Sequence, residues 1–167
     1  MLLASEPAGT LAPRVAGLAR FSATLAWRGP AEVPREPALV APPGPARFAI
    51  SESVGPDAAT RHLHGEMRAL SQRELGAGLE SLLRALATFA TLTEATLEAG
   101  AVRKFPPRVA SRRDLEALAR DLWDAGFPVR FAPSWAPAPE ADAYVGVGGD
   151  DRLAEFVLSH ASWSAAT

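Results

Sequence analysis

Cysteine is absent from this 167-residue chain, which removes disulfides, thiolate metal sites and cysteine nucleophiles together. Asparagine is absent too, and Lys104, Ile50 and Gln72 are the sole residues of their kinds, against heavy use of alanine, arginine, glycine and proline. That usage is the mark of a GC-rich bacterial genome. No charge of one sign accumulates: the formal net charge is −2 and the isoelectric point is near 5.9, a balance that argues against nucleic-acid binding by the whole domain. No run approaches the roughly 20 apolar residues that span a bilayer. The start, Met1-Leu2-Leu3-Ala4-Ser5-Glu6-Pro7, lacks the basic region and long apolar core of a secretory signal. A cytoplasmic protein without membrane contact is the expectation.

What is present, 48% hydrophobic and 22% charged residues, suits one globular domain over residues 1–167 that buries enough surface to need no staples. Residues 1–17 show no periodicity and read as a surface segment, with Arg14–Ala16 as a candidate short strand. Residues 20–28 alternate strictly, with Phe21, Ala23, Leu25 and Trp27 against Arg20, Ser22, Thr24 and Arg28; period two marks a half-buried strand. Residues 46–54 repeat the pattern with Phe48, Ile50 and Val54. The proline-rich stretch 29–45 between them reads as a stiff, extended loop, with Ala38–Ala41 as a candidate edge strand.

Gly55-Pro56-Asp57 opens a predicted helix, with Ala59, Leu63, Met67 and Leu70 at helical spacing to about Gln72. A longer helix is predicted over 73–99, its stripe running from Leu75 to Leu97 and its stop at Gly100. Residues 101–110 read as a basic linker. Ser111 with Asp114 resembles a capping box for a helix to Gly126. Short strands at Phe127–Ala132 and Tyr144–Gly148 and a last helix to about His160, capped by Asp150 or Asp151, complete the order β-β-α-α-α-β-β-α. The predicted fold class is α+β or α/β, a mixed or antiparallel sheet of about four strands packed against helices.

Five features bear on function. The string Arg61-His62-Leu63-His64-Gly65-Glu66 suggests a metal or acid/base site, but on a helix His62 and His64 point about 200° apart, so only His62 and Glu66 share a face. The H-x-E of zinc deaminases also lacks its cysteine partners. Glu52, on the apolar face of its strand, is a candidate catalytic carboxylate with His62 or His64, because an inward charge is costly unless used or paired. Gly146-Val147-Gly148-Gly149-Asp150 has the form of a phosphate loop without its third glycine or a G-K-[ST], and reads as structural. Arg103, Lys104, Arg108, Arg112 and Arg113 form a basic stretch that suggests an anionic partner surface, with the acidic residues Glu140, Asp142, Asp150, Asp151 and Glu155 as its counterpart. Trp135 and Trp163, in or after Pro/Ala-rich loops, are candidate interface anchors.

No Ser–His–acid arrangement is proposed, and no metal or cofactor is expected. With no coherent catalytic constellation, the leading expectation is a non-catalytic protein-interaction module: an accessory subunit, an immunity or inhibitor protein, or a component of a bacterial or phage assembly that binds another protein or itself. The alternatives are a small enzyme or ligand-binding domain with a pocket near Glu52 and His62 or His64, and weak nucleic-acid binding through residues 103–113.

Overall fold

The computed structural model describes residues 1–3, 6–35, 44–138, 140–141 and 143–161. In chain order the elements are β1 (Leu2–Leu3), β2 (Thr10–Leu11), β3 (Arg14–Val15), β4 (Gly17–Ala26), a 3-10 turn at Pro30–Glu32, β5 (Arg47–Val54), β6 (Thr60–Ala69), α1 (Gln72–Leu92), β7 (Thr96–Phe105), β8 (Arg108–Val109), α2 (Arg112–Asp124), β9 (Arg130–Phe131), β10 (Val145–Gly146) and α3 (Asp151–Ala161). The chain, read from its sequence as one domain over 1–167, gathers its contacts into two compact units. One comprises Met1–Ala16 with Pro107–Thr167, and the other Gly17–Pro106.

The unit Gly17–Pro106 is a four-stranded sheet in the order β5-β6-β4-β7, antiparallel throughout, with α1 along one face. Alternation in β4 puts Phe21, Ala23 and Leu25 inward, and β6 adds Leu63, Met67 and Ala69; all are buried. These meet Leu75, Leu79, Leu82, Leu86 and Ala90, which recur at helical spacing along α1 and are also buried. Burying each large aliphatic side chain contributes about 1.5–3 kcal/mol. Ser71 caps α1 by accepting from the Glu74 amide at 3.2 Å. Trp27 closes the far end of the core, edge-on to Phe89 with centroids 6.5 Å apart and donating from Nε1 to the Thr93 carbonyl at 3.0 Å. By length and mean hydropathy α1 reaches the range of a membrane span, but it carries Arg73, Glu74, Glu80 and Arg84, and Leu75, Leu79, Leu82 and Leu86 are buried along one stripe, as in an amphipathic core helix.

The expected α+β class, with an antiparallel sheet of four strands against a helix, is what this unit displays. Two expected elements are corrected. Residues 60–69 form a strand rather than a helix. Ala59, Leu63 and Met67 are spaced by four, an interval that keeps residues on one face in either geometry, so the apolar stripe did not discriminate. The long helix stops at Leu92 instead of continuing to 99: Glu94 adopts a left-handed φ of 55°, and the Ala95 amide bonds back to the Ala90 carbonyl at 2.9 Å, closing the helix without a glycine. Strand β7 comes next and takes in Ala101–Phe105 of the expected linker.

The other unit is built around a four-stranded mixed sheet, β1-β10-β2-β9, with β3 pairing β8 separately. The short strand expected near Arg14–Ala16 is present as β3, and the segment before it carries two more, β1 and β2. Leu3, Leu11, Val15, Leu115, Leu122, Tyr144, Val145, Leu153 and Val157 are all buried and form its core. The predicted caps hold: Ser111 Oγ accepts from the Asp114 amide, and Asp150 Oδ1 from the Leu153 amide at 3.0 Å.

Candidate functional site

Where α1 covers one face of the larger sheet, the other face presents side chains in register across the four strands. Pairing places Ser53, His62, Thr24 and Glu98 in one row, Ser51, His64, Ser22 and Gly100 in the next, and Ala49, Glu66, Arg20 and Val102 in a third. This face is polar because the alternation that sends Leu63 and Met67 inward sends His62, His64, Glu66 and Arg68 outward. Arg20 Nε stands 3.0 Å from Glu66 Oε1 and Arg68 Nη2 3.4 Å from Glu66 Oε2. The hydrogen bond from Arg20, with a smaller one from Arg68, holds the Glu66 carboxyl below the ordinary range, so it stays ionised at neutral pH. His62 Nδ1 lies 3.2 Å from Thr24 Oγ1, and Ser51 Oγ donates to the His64 carbonyl at 3.1 Å. A shallow hollow of about 840 Å³ lies on this face, lined by Arg20, Ser22, Ser51, His64, Glu66 and Lys104 among others. Gly65 lies in its floor; on the opposite side of the strand the Phe21 ring packs against it, so that a Cβ there would meet that ring and the Ala49 carbonyl at 2.5 Å.

The two histidines are therefore brought to one face, and Glu52 is not with them. Glu52 pairs across from Leu63, on the side that faces α1, as its alternation predicts. There its Oε1 accepts from Arg61 Nη1 at 2.8 Å. The Arg61 guanidinium, on a residue only 7% exposed, also donates to the Pro34 carbonyl and lies over the Trp27 ring at 5.8 Å. Glu52 neutralises a buried cation that anchors the 29–35 segment to the sheet.

The basic stretch is divided. Arg103 and Lys104 lie in β7; Arg108, Arg112 and Arg113 belong to the other unit. Arg108 Nη1 pairs with Glu140 Oε2 at 3.0 Å and Arg112 Nε with Glu116 Oε1 at 2.7 Å, so part of the expected charge is met locally; the hydrogen bond that Arg112 donates to Glu116 raises the Arg112 pKa. Arg113 is exposed and Trp135 half-buried. Ala38–Ala41, Asp142 and Trp163 fall outside the described residues.

In the smaller-sheet unit, the glycine turn serves packing. Gly148 and Gly149 take left-handed φ of 52° and 78°, and a Cβ at Gly146 or Gly148 would meet the backbone of Pro7 or Ala8 at 2.5 and 2.7 Å. That close approach leads to a pair that no sequence pattern suggests. Ser134 is fully buried, and its Oγ donates to Glu6 Oε1 at 2.6 Å while accepting from the Ala136 amide at 3.1 Å. Glu6, beside the turn, is a half-buried carboxylate in a strong hydrogen bond. With 128 residues between the partners, no local pattern could have announced them.

No family model matches the sequence, and no curated protein matches it. Solved structures do resemble the fold. Aminopeptidase PepT from Bacillus cereus is 12% identical with a TM-score of 0.63, over 89% of this chain and 51% of that one. A dinuclear metal binding peptidase of the M20 family from Bacillus subtilis is 16% identical at 0.60, over 87% and 46%. An amidase of the hydantoinase/carbamoylase family from Burkholderia vietnamiensis is 13% identical at 0.61, over 83% and 41%. The chain thus spans about half the length of the structures it resembles. The expectation of a non-catalytic interaction module is overturned by this likeness: the architecture is one shared by solved peptidases and amidohydrolases. Among the described residues no group of three or more histidine, aspartate or glutamate side chains is placed to hold one metal ion, so a dinuclear centre does not fit the described side chains.

Proposed function

We propose that this chain forms part of a cytosolic enzyme that hydrolyses amide bonds in small, carboxylate-bearing substrates, with the uncovered sheet face of Gly17–Pro106 as the substrate platform. The observation that carries this reading is the likeness, across 81–89% of the chain, to structures whose names carry the words peptidase, amidase and amidohydrolase. Because a fold hosts many chemistries, the platform supplies the site-level support. Arg20, Arg47, Arg68 and Lys104 outnumber Glu66 and Glu98 on that face, a balance that favours an anionic group. Lys104 forms no ion pair among the described residues and lines the hollow with His64. A substrate carboxylate held by Lys104 and the outer edge of Arg20 puts its amide over Ser22, Ser51 and His64, where the imidazole can accept or deliver a proton. The edge of β7 away from β4, ten residues long, exposed over most of its length and without a neighbouring strand among the described residues, is the surface we assign to self-association or a protein partner, because such an edge accepts another strand.

The test is a panel of N-acyl amino acids, dipeptides and tripeptides incubated with the purified full chain, with amine release measured with and without added divalent metal. Turnover is expected, with Lys104→Ala raising KM about tenfold, the loss of one charge-assisted contact, while kcat holds. No release above a buffer blank on any substrate, together with no substrate binding by calorimetry, would overturn the reading.

A further inference from the structure

On a helix His62 and His64 would diverge; on β6 they stand at i and i+2 and project from the same face. Successive same-face positions on a strand lie about 6.6–6.8 Å apart, a spacing that two imidazoles can close to share one ion, since each nitrogen need only come within about 2.0–2.1 Å of it. We infer that His62 and His64 form a two-histidine chelate for a single divalent transition-metal ion on the uncovered sheet face, with the remaining coordination positions left to water or an incoming ligand. The inference stands apart from the hydrolase reading; it requires only these side chains.

Three observations support it. First, His62 already has the outer partner of a metal-ligating imidazole. In the tautomer whose Nδ1–H donates to Thr24 Oγ1, 3.2 Å away, the lone pair falls on Nε2, the arrangement by which a hydrogen bond at one ring nitrogen fixes the other as ligand. Second, the neighbours leave room. Among the described residues His64 is flanked in its row by Ser22 and Ser51, two of the smallest side chains, and by Gly100 beyond them. Third, the acid on the same strand face is already committed. Glu66 is held by Arg20 and Arg68, so the donor set is two neutral nitrogens rather than a carboxylate cluster. Imidazole donors select zinc, copper or nickel over calcium or magnesium. An open site with two protein ligands exchanges its metal readily and keeps positions free, unlike a closed four-ligand structural centre.

The experiment is calorimetric titration of Zn²⁺ into the full chain, purified without a histidine tag and stripped with chelator, alongside Cu²⁺ electron paramagnetic resonance. One Zn²⁺ per chain is expected to bind with half-saturation below about 100 μM, and Cu²⁺ more tightly, following the general affinity order for such donors. The copper spectrum should show coupling to two imidazole nitrogens, falling to one in His62→Ala and in His64→Ala. Each of these variants should weaken Zn²⁺ binding at least about tenfold, and Thr24→Val by about tenfold through loss of the orienting hydrogen bond. His160→Ala, removing the third histidine of the chain, should bind as wild type. Circular dichroism confirms that each variant is folded, and the copper spectrum of wild type gives the ligand count even if one variant fails to fold. Absence of saturable Zn²⁺ binding by wild type, or binding unchanged in both His62→Ala and His64→Ala, would overturn the inference.

Discussion

The two faces of the four-stranded sheet share one backbone and differ in nearly everything else. On the inner face Leu25, Leu63, Met67, Leu82 and Leu86 are fully excluded from water; on the outer face His64, Arg20 and Ser22 are exposed. Because alternation is fixed by strand geometry, each residue of β4 and β6 is assigned to stability or to surface chemistry by the parity of its number. The inner face tolerates little change in volume. The outer face is free to vary, so its concentration of histidine, serine and opposed charges is informative in a way that the leucines opposite are not.

Substitutions can break this division, and the largest effect is expected inside. Leu82→Ala removes a fully buried side chain facing β4 and β6, and should cost about 2–5 kcal/mol, read as a loss of stability in denaturant unfolding with little change in m-value. Next comes the Glu52–Arg61 ion pair on the inner side. Glu52→Gln leaves the Arg61 guanidinium, 8% exposed at its side chain, without its carboxylate, and should cost about 1–3 kcal/mol; recovery of wild-type stability when Arg61→Met is added to Glu52→Gln would confirm that the cost is an unpaired charge.

A smaller effect belongs to the outer ion network and depends on pH. The Glu66 carboxyl titrates below its ordinary value when folded, as does Asp57, whose carboxyl accepts from the Thr60 hydroxyl at 2.6 Å. In both cases the unfolded state binds protons first. Stability from these groups is therefore fully present above the unfolded-state pKa and declines as pH falls through the folded-state pKa. Melting temperature measured from pH 7 down to about pH 3 should fall less steeply for Glu66→Gln than for wild type; parallel slopes would show that the Arg20–Glu66–Arg68 network is energetically silent. The smallest change is expected for Ser22→Ala, at the centre of the exposed face. Its unfolding free energy should stay within about 0.5 kcal/mol of wild type, while any substrate or metal titration at that face still reports on the site.

The sequence disclosed this architecture unevenly, for identifiable reasons. Strands β4 and β5 were legible because their alternation is strict and uninterrupted. Strand β6 was not, since leucine and methionine four apart satisfy both periods, and the decisive witnesses, His62 and His64 alternating with Leu63 and Gly65, are polar residues that an apolar count ignores. The same misreading made the two histidines look divergent. The end of α1 was hidden because Glu94 takes a conformation usually left to glycine or asparagine. Glu52 was correctly assigned to its apolar face, but its partner Arg61 lay in a segment expected to be helical, so a salt bridge looked like a stray carboxylate. Ser134 and Glu6 meet only through the folded chain.

The antiparallel match of Arg14 with Val109 and of Val15 with Arg108 sets the polypeptide's departure at Ala16 beside its return at Pro107. Everything from Gly17 to Pro106 is thus threaded through a single narrow gateway whose two posts are hydrogen-bonded to each other. Such an arrangement makes the intervening ninety or so residues an excisable cassette. Joining residue 16 to residue 107 through a short glycine-containing turn would convert the gateway into an ordinary hairpin, and the cassette's own ends, neighbours in space, lend themselves to transplantation or circular permutation.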